Sequence, residues 1–184
     1  RVFELPYHST RPILRIANYI SFMLSAPIGA IFSPKADVIY VWHPPLTIGV
    51  AAWLIGKIKR VPFVYDVQDI WGSFTVLSGM VREGGAAIKL IRWLERFVAK
   101  RASHTIVQTA AGAEYITERG VPAEKISILP HWIDEAVFGR AKDDDRQAVR
   151  AEFGWGSRFI ILFAGNIGIV QGLESVLEAA RLLP

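Results

Sequence analysis

The sequence predicts a doubly wound parallel α/β fold, cut short at both ends. Two observations carry this expectation. Short apolar, β-rich runs alternate with helical patterns along nearly the whole chain, and the strand runs are apolar almost without a break, as in Val38-Ile39-Tyr40-Val41 and Phe159-Ile160-Ile161-Leu162-Phe163-Ala164. Such alternation is the signature of βαβ units. Strands covered on both faces lose the in-and-out pattern of half-exposed ones, and right-handed crossovers are expected to put helices on both sides of the sheet.

In chain order, the first strand expected is Val2–Leu5, followed by a long helix over Arg11–Phe32. Within it Ile13–Phe32 is mostly apolar, but Arg15, Asn18, Ser21, Ser25 and Pro27 interrupt it. A spanning helix wants about 20 residues with few or no charges, so a buried or surface-lying helix is the better reading. Strand Val38–Val41 leads into helix Leu46–Lys59, and strand Phe63–Val67 into helix Ala86–Lys100. The latter region, Ala86–Arg101, is cationic and amphipathic, with Lys89, Arg92, Arg96 and Lys100 on one stripe. Such a stripe is either a solvated helix face or a contact for anionic lipid headgroups. Strand Thr105–Gln108, helix Ala111–Arg119 and strand Ile126–Leu129 continue the rhythm.

The rhythm then breaks. Ala136–Ser157 is polar, carries Asp143-Asp144-Asp145 and ends in Gly154-Trp155-Gly156-Ser157; a short helix over Arg146–Phe153 with Asp145 as N-cap is expected there. Strand Phe159–Ala164 and helix Leu173–Leu183 follow. The organisation expected is therefore a partial first domain over 1–140, a linker over 141–157, and the first βα unit of a second domain over 158–184. Arg1 in place of Met, and a helix that stops at Pro184, give both ends the look of a cut.

Composition narrows the function classes. Of 184 residues, 52% are hydrophobic and 21% charged, which permits a buried core and excludes global disorder. The net charge of +4 is modest and no Lys/Arg block is long enough for a nucleic-acid tail, so no nucleic-acid partner is expected. Cysteine is absent, which excludes disulfides and thiolate metal sites and suits a cytoplasmic location.

In open parallel sheets, ligands bind beyond the carboxyl ends of the strands, where helix N-termini also point. The residues that follow each expected strand are Trp42-His43-Pro44-Pro45, then Gln68-Asp69-Ile70-Trp71-Gly72, then Thr109, then Pro130-His131-Trp132-Ile133-Asp134, then Gly165-Asn166-Ile167-Gly168. Singly, each has a structural explanation. His43 before two prolines can simply enter a helix, Asp69 can serve a turn, and Gly165 and Gly168 can make a tight turn. The Gly-x-x-Gly spacing is not the dinucleotide fingerprint Gly-x-Gly-x-x-Gly, which puts a nicotinamide-dependent oxidoreductase low among the readings.

The run from Asp37 to Thr47, followed by Pro62 to Trp71, closely resembles the family 4 glycosyltransferases, retaining enzymes of the GT-B fold, and among them the bacterial branch making capsule, O-antigen and exopolysaccharide. Val121-Pro122-Ala123-Glu124-Lys125-Ile126, Leu129 to Asp134, and Phe163 to Leu173 resemble further segments of the family in the same order. The resemblance implies two Rossmann-like domains facing a cleft, with an acceptor on the N-terminal side and a nucleotide-sugar on the C-terminal side. It implies Asp69 as the catalytic contact, with His43, Gln68, Trp71, Thr109 and His131 on the acceptor side. Gly165, Asn166 and Gly168 would bind the donor. It implies no metal and no cofactor beyond the nucleotide-sugar substrate. A saccharide or polyprenyl-diphosphate-linked acceptor would explain the apolar Ile13–Phe32 segment and the basic stripe, through peripheral contact with an anionic membrane on the inner face of the plasma membrane.

The chain also departs from the family. Gln68 stands where many members have His, and it can hydrogen-bond a hydroxyl but not exchange a proton; His131 replaces an Asn, and Gln171 a Lys. As a fragment, the chain alone is expected to be inactive. The competing readings are a nucleotide-sugar epimerase of the UDP-N-acetylglucosamine 2-epimerase type and a non-catalytic fragment or scaffold.

Overall fold

Runs rich in β-branched and aromatic residues pair into one sheet: β1 (Ile39–His43), β2 (Phe63–Val67), β3 (His104–Val107) and β4 (Ile126–Ile128), in the order β1-β2-β3-β4. All three pairings are parallel, with Val41 opposite Tyr65, Tyr65 opposite Thr105, and Thr105 opposite Ile126. The molecule was obtained as a computed structural model, which describes residues 2–6, 12–139, 143–168 and 171–183. It comprises two compact units, Arg1–Pro130 and His131–Pro184.

In the first unit the helices are α1 (Pro12–Ile31), α2 (Leu46–Lys59), α3 (Trp71–Leu77), α4 (Ala86–Arg101) and α5 (Ala110–Glu118). The sequential strand order has a direct consequence. Crossovers of one hand between strands that each add to the same edge put their helices on the same face. The core bears this out: Val41, Phe63, Tyr65, Val67 and Val107 from alternate strand positions pack with Ala52 of α2, Val98 and Ala99 of α4 and Ile116 of α5. Residues one step out of phase point to the other face, where Tyr40 and Trp42 are more than half exposed. The expected parallel α/β sheet is present, but among the described residues its connecting helices lie on one face and not on both.

The helical face is tightly packed. A Cβ placed on Gly49 of α2 would fall 2.4 Å from Val98 Cγ1 and 3.1 Å from Tyr65 Cε2, so only glycine lets α2 approach α4 and β2 this closely.

Two expected strands are not strands. Val2–Leu5 runs along α1 and gives its backbone groups to that helix: Leu5 N–H donates to Ser21 Oγ, Asn18 Nδ2 donates to the Leu5 carbonyl, and Ser25 Oγ to the Phe3 carbonyl. Residues 159–164 form no ladder with any described residue, and Phe159, Ile161 and Leu162 are largely exposed. A strand exists only through its neighbour's hydrogen bonds, and no described residue supplies one.

The second unit holds α6 (Glu135–Phe138), α7 (Asp143–Glu152) and α8 (Leu173–Arg181). Asp145, expected as an N-cap, lies inside α7, which starts earlier than the expected Arg146. Asp134 caps α6 by accepting the Ala136 N–H. Beyond α7, Arg150 donates to the Gly156 and Arg158 carbonyls and Arg158 to those of Gly154 and Trp155, which ties the turn back to the helix.

Among the described residues one helix segment, Ile13–Ile31, is long and apolar enough to cross a membrane by length and composition, with a mean hydropathy of 1.3.

Candidate functional site

The carboxyl ends of β1, β2 and β3 bring together His43, Gln68, Asp69, Trp71, Gln108 and Thr109, because parallel strands in register end side by side. His43 closes β1 and is 1% exposed. Its ring meets Tyr65 at 5.6 Å and Trp71 at 6.0 Å, both edge-on, and Trp71 in turn meets Tyr19 of α1 at 6.2 Å. Neither ring nitrogen has a hydrogen-bond partner. Burial pushes the imidazole down to about 4 against a smaller opposing pull from Asp66, so His43 is neutral at physiological pH. A side chain this enclosed supports Trp71 from below and does not itself meet solvent.

Gln68, Asp69 and Trp71 occupy the short link from β2 to α3. Asp69 is exposed, and among the described residues no hydrogen bond reaches its carboxylate. Gln68 Nε2 donates to Asp66 Oδ1 at 2.7 Å. The link is anchored from outside: Glu95 of α4, which is 7% exposed, accepts the Gly72 N–H at 2.7 Å through Oε1 and the Tyr115 hydroxyl at 3.0 Å through Oε2. Arg119 lies 3.9 Å from the same carboxylate. Burial, with the Glu95 charge and hydrogen bond, pushes the Tyr115 hydroxyl up to about 12.

Thr109 is the N-cap of α5, its Oγ1 accepting the Gly112 N–H at 3.1 Å. That bond satisfies one of the free donors of the helix start. Gln68, Ile70, Gln108, Thr109 and Gly112 border a cavity of about 100 Å³. A larger hollow of about 670 Å³ is lined within the second unit by Asp145, Arg146, Trp155 and Ile160, among others, and contains none of the candidate catalytic, acceptor-side or donor-binding residues. His131, Gly165, Asn166 and Gly168 belong to the second unit. His131 is exposed there, and the Gln171 N–H donates to the Gly168 carbonyl at 3.1 Å.

Sequence reasoning passed over Asp66, Gln108 and Glu95. Asp66 and Glu95 each carried a signal. Asp66 is a charge inside an otherwise apolar central strand, a place where charges are rare unless paired. Glu95 is the lone acid in the cationic α4. The stripe on that helix is also thinner than it reads, because Arg92 is paired bidentately with Glu83 at 2.7 and 3.0 Å.

The glycosyl transferase 4-like domain family matches residues 1–132. The chain belongs to that family. Among relatives of this glycosyl transferase 4-like chain, WcaI of Escherichia coli K12, named as a colanic acid biosynthesis glycosyl transferase, is 29% identical over 174 residues, 92% of the chain and 43% of WcaI. WbjE of Pseudomonas aeruginosa, named as a glycosyltransferase, is 22% identical over 150 residues, 81% of the chain and 37% of WbjE. The chain thus spans less than half the length of these relatives. Crystal structures of Anabaena HepE share the fold of the glycosyl transferase 4-like chain at 18% identity. One, in complex with UDP and glucose, covers 98% of the chain and 44% of HepE at a TM-score of 0.62; another, in complex with UDP, covers 88% and 41% at 0.68. The family and the GT-B fold expected from the motifs are therefore borne out.

Proposed function

We propose that this chain supplies the acceptor side of a glycosyltransferase that moves a sugar from a nucleotide-sugar to a saccharide acceptor in cell-surface polysaccharide synthesis. The observation that carries the reading is the match of the glycosyl transferase 4-like family over 1–132, the stretch that also gathers Gln68, Asp69, Trp71 and Thr109 at one sheet edge. WcaI, named as a colanic acid glycosyl transferase, and HepE, crystallised in complex with UDP and glucose, lend support.

In this reading Asp69 contacts the acceptor or the transferring sugar; exposed and unencumbered, its carboxylate is free to do so. Trp71, propped by His43 and Tyr19, offers a ring face to a sugar. Gln68 contributes hydrogen bonding without proton transfer. Thr109 contributes chiefly by capping α5, since its oxygen is already engaged. Gly165, Asn166 and Gly168 approach the donor, whose diphosphate leaving group needs backbone N–H groups and basic side chains to stabilise it. His131 remains an acceptor-side candidate.

A polyprenyl-diphosphate-linked acceptor and a peripheral position on the cytoplasmic face of the membrane belong to the same reading. The exposed apolar residues Ile13, Ile16, Ile20, Leu24 and Ile28 of α1 support it. What the basic stripe could contribute is carried by Lys89, Arg96 and Lys100, because Arg92 is held by Glu83.

The test is transfer by the intact enzyme from a panel of UDP-sugars to saccharide acceptors, with Asp69→Asn lowering turnover by about a hundredfold at unchanged thermal stability. Formation of an epimer from the donor alone, without any acceptor, would overturn the reading in favour of an epimerase. Indifference of the intact enzyme to anionic liposomes would remove the membrane part.

A further inference from the structure

Asp66 lies on the face of β2 opposite the helices and is 4% exposed. Three side chains converge on it. The Tyr40 hydroxyl of β1 donates to Oδ2, while Gln68 Nε2 and Gln108 Nε2 both donate to Oδ1, at 2.7 and 2.9 Å. Tyr40 responds as a phenol bound to a carboxylate should, its pKa pushed up to about 12 by that hydrogen bond first, then by burial and the Asp66 charge.

A carboxylate accepts hydrogen bonds and cannot donate them. Each carboxamide must therefore turn its NH2 group toward Asp66, since the opposite orientation would set a carbonyl oxygen against an anion. The amide orientations follow from this chemistry and not from a choice between look-alike atoms. Both Oε1 atoms then sit at the ends of the amides that Asp66 does not hold, and among the described residues neither accepts a hydrogen bond. Gln68 and Gln108 both border the cavity of about 100 Å³ beside the start of α5.

The geometry points to Asp66 as a positioning residue that fixes Gln68 and Gln108 as a pair of hydrogen-bond acceptors for a neutral, hydroxyl-bearing ligand. Hydroxyl donors of a sugar ring match two carbonyl oxygens, whereas a phosphate brings only further acceptors and meets the Asp66 charge as well. This corner therefore takes the sugar of the acceptor and not the diphosphate of either substrate. The assignment rests on the glycosyltransferase reading above for the identity of the ligand as an acceptor, but not for the acceptor-pair chemistry.

The experiment has two arms. In the intact enzyme, Asp66→Asn supplies an N–H donor in place of a carboxylate oxygen and lets a carboxamide turn over. The expected result is an acceptor KM raised about tenfold, the scale of losing a matched polar contact, with kcat and donor KM changed less than about threefold. In a Gln68→Met/Gln108→Met background the same substitution should add nothing. In the second arm the side-chain amide NMR signals of Gln68 and Gln108 are titrated with methyl α-D-glucopyranoside and, separately, with inorganic phosphate; the glucoside is expected to move them and phosphate to leave them in place. Signals that ignore the glucoside, or that follow phosphate instead, overturn the proposal. So does an Asp66→Asn enzyme that transfers sugar with an unchanged acceptor KM, a result that leaves the glycosyltransferase reading standing. Signals that follow the glucoside in a protein without transferase activity support the acceptor pair and count against that reading.

Discussion

Glu95 Oε1 accepts the Gly72 backbone N–H at 2.7 Å, joining the middle of α4 to the first turn of α3. The bond fixes where the link carrying Gln68, Asp69 and Trp71 ends, and the second oxygen of the same carboxylate holds Tyr115 of α5. Replacing Glu95 with Ala would leave the Gly72 N–H and the Tyr115 hydroxyl without their acceptor. Urea unfolding is expected to show a loss of about 2–3 kcal/mol for Glu95→Ala, with Glu95→Gln closer to wild type because one amide oxygen remains. A loss below about 0.5 kcal/mol for the alanine variant would remove the anchoring role.

His43 ties stability to pH. Its folded value, about 4, lies below the ordinary 6.5, so between those values the unfolded chain binds the proton and the folded one does not. The contribution is complete above pH 6.5, is lost progressively as pH falls toward 4, and levels off below that. Its full span is about 3 kcal/mol by the conversion of a pKa difference into free energy. His43→Phe keeps a ring between Tyr65 and Trp71 and removes the unpaired nitrogens, so its stability at pH 7 should equal or exceed that of wild type. The difference in slope between the two proteins from pH 6.5 to 4, followed by denaturant titration, checks the prediction.

Gly49 is a packing contact and not a helix weakness. Alanine there improves intrinsic helix propensity by up to about 1 kcal/mol, yet the added methyl meets Val98 Cγ1 at 2.4 Å on a side chain that is 0% exposed. Gly49→Ala is expected to destabilise by about 1–3 kcal/mol through overpacking. The double variant Gly49→Ala/Val98→Ala should cost less than the sum of the two single changes. Additive costs would show that the two sites do not share that space.

Thr109 separates capping from ligand binding. Thr109→Ala should cost about 1 kcal/mol of stability, while Thr109→Asp, also a good N-cap, should restore it. If the residue acts only as a cap, transfer by the aspartate variant matches wild type; a deficit there at normal stability would give the hydroxyl a direct role with ligand.

Much of the fold could be read from the residues. The bounds of α2 and β2 coincide with the expected ones, because both segments are set by strong local patterns: a long apolar helix entered from two prolines, and a dense β-branched and aromatic run. What escaped depends on distant partners. Phe159–Ala164 has the composition of a strand but, among the described residues, not the hydrogen-bonding neighbour that makes one. The single-sided helical cover follows from strand order, which hydropathy does not encode. At the site, the residues just past the strands were visible because placement after a parallel strand is itself a signal. Asp66 and Gln108 were hidden inside apolar runs, and their link across 42 positions appears only when the strands are laid side by side. His43 was legible as a residue near the site but not as a buried support, since burial of a lone histidine depends on Tyr65 and Trp71 closing over it.

The strand order β1-β2-β3-β4 also bears on how this unit assembles. Among the described residues every strand lies next to the one preceding it along the chain, so each new βα segment docks onto an edge already formed. Each parallel pairing still closes a loop through a helix, 24 residues from Ile39 to Phe63, 40 from Val64 to His104 and 21 from Thr105 to Ile126, so loop entropy is lost at every step before the contacts repay it. Synthesis proceeds from the N-terminus, so the sheet can grow in step with the ribosome, one strand at a time.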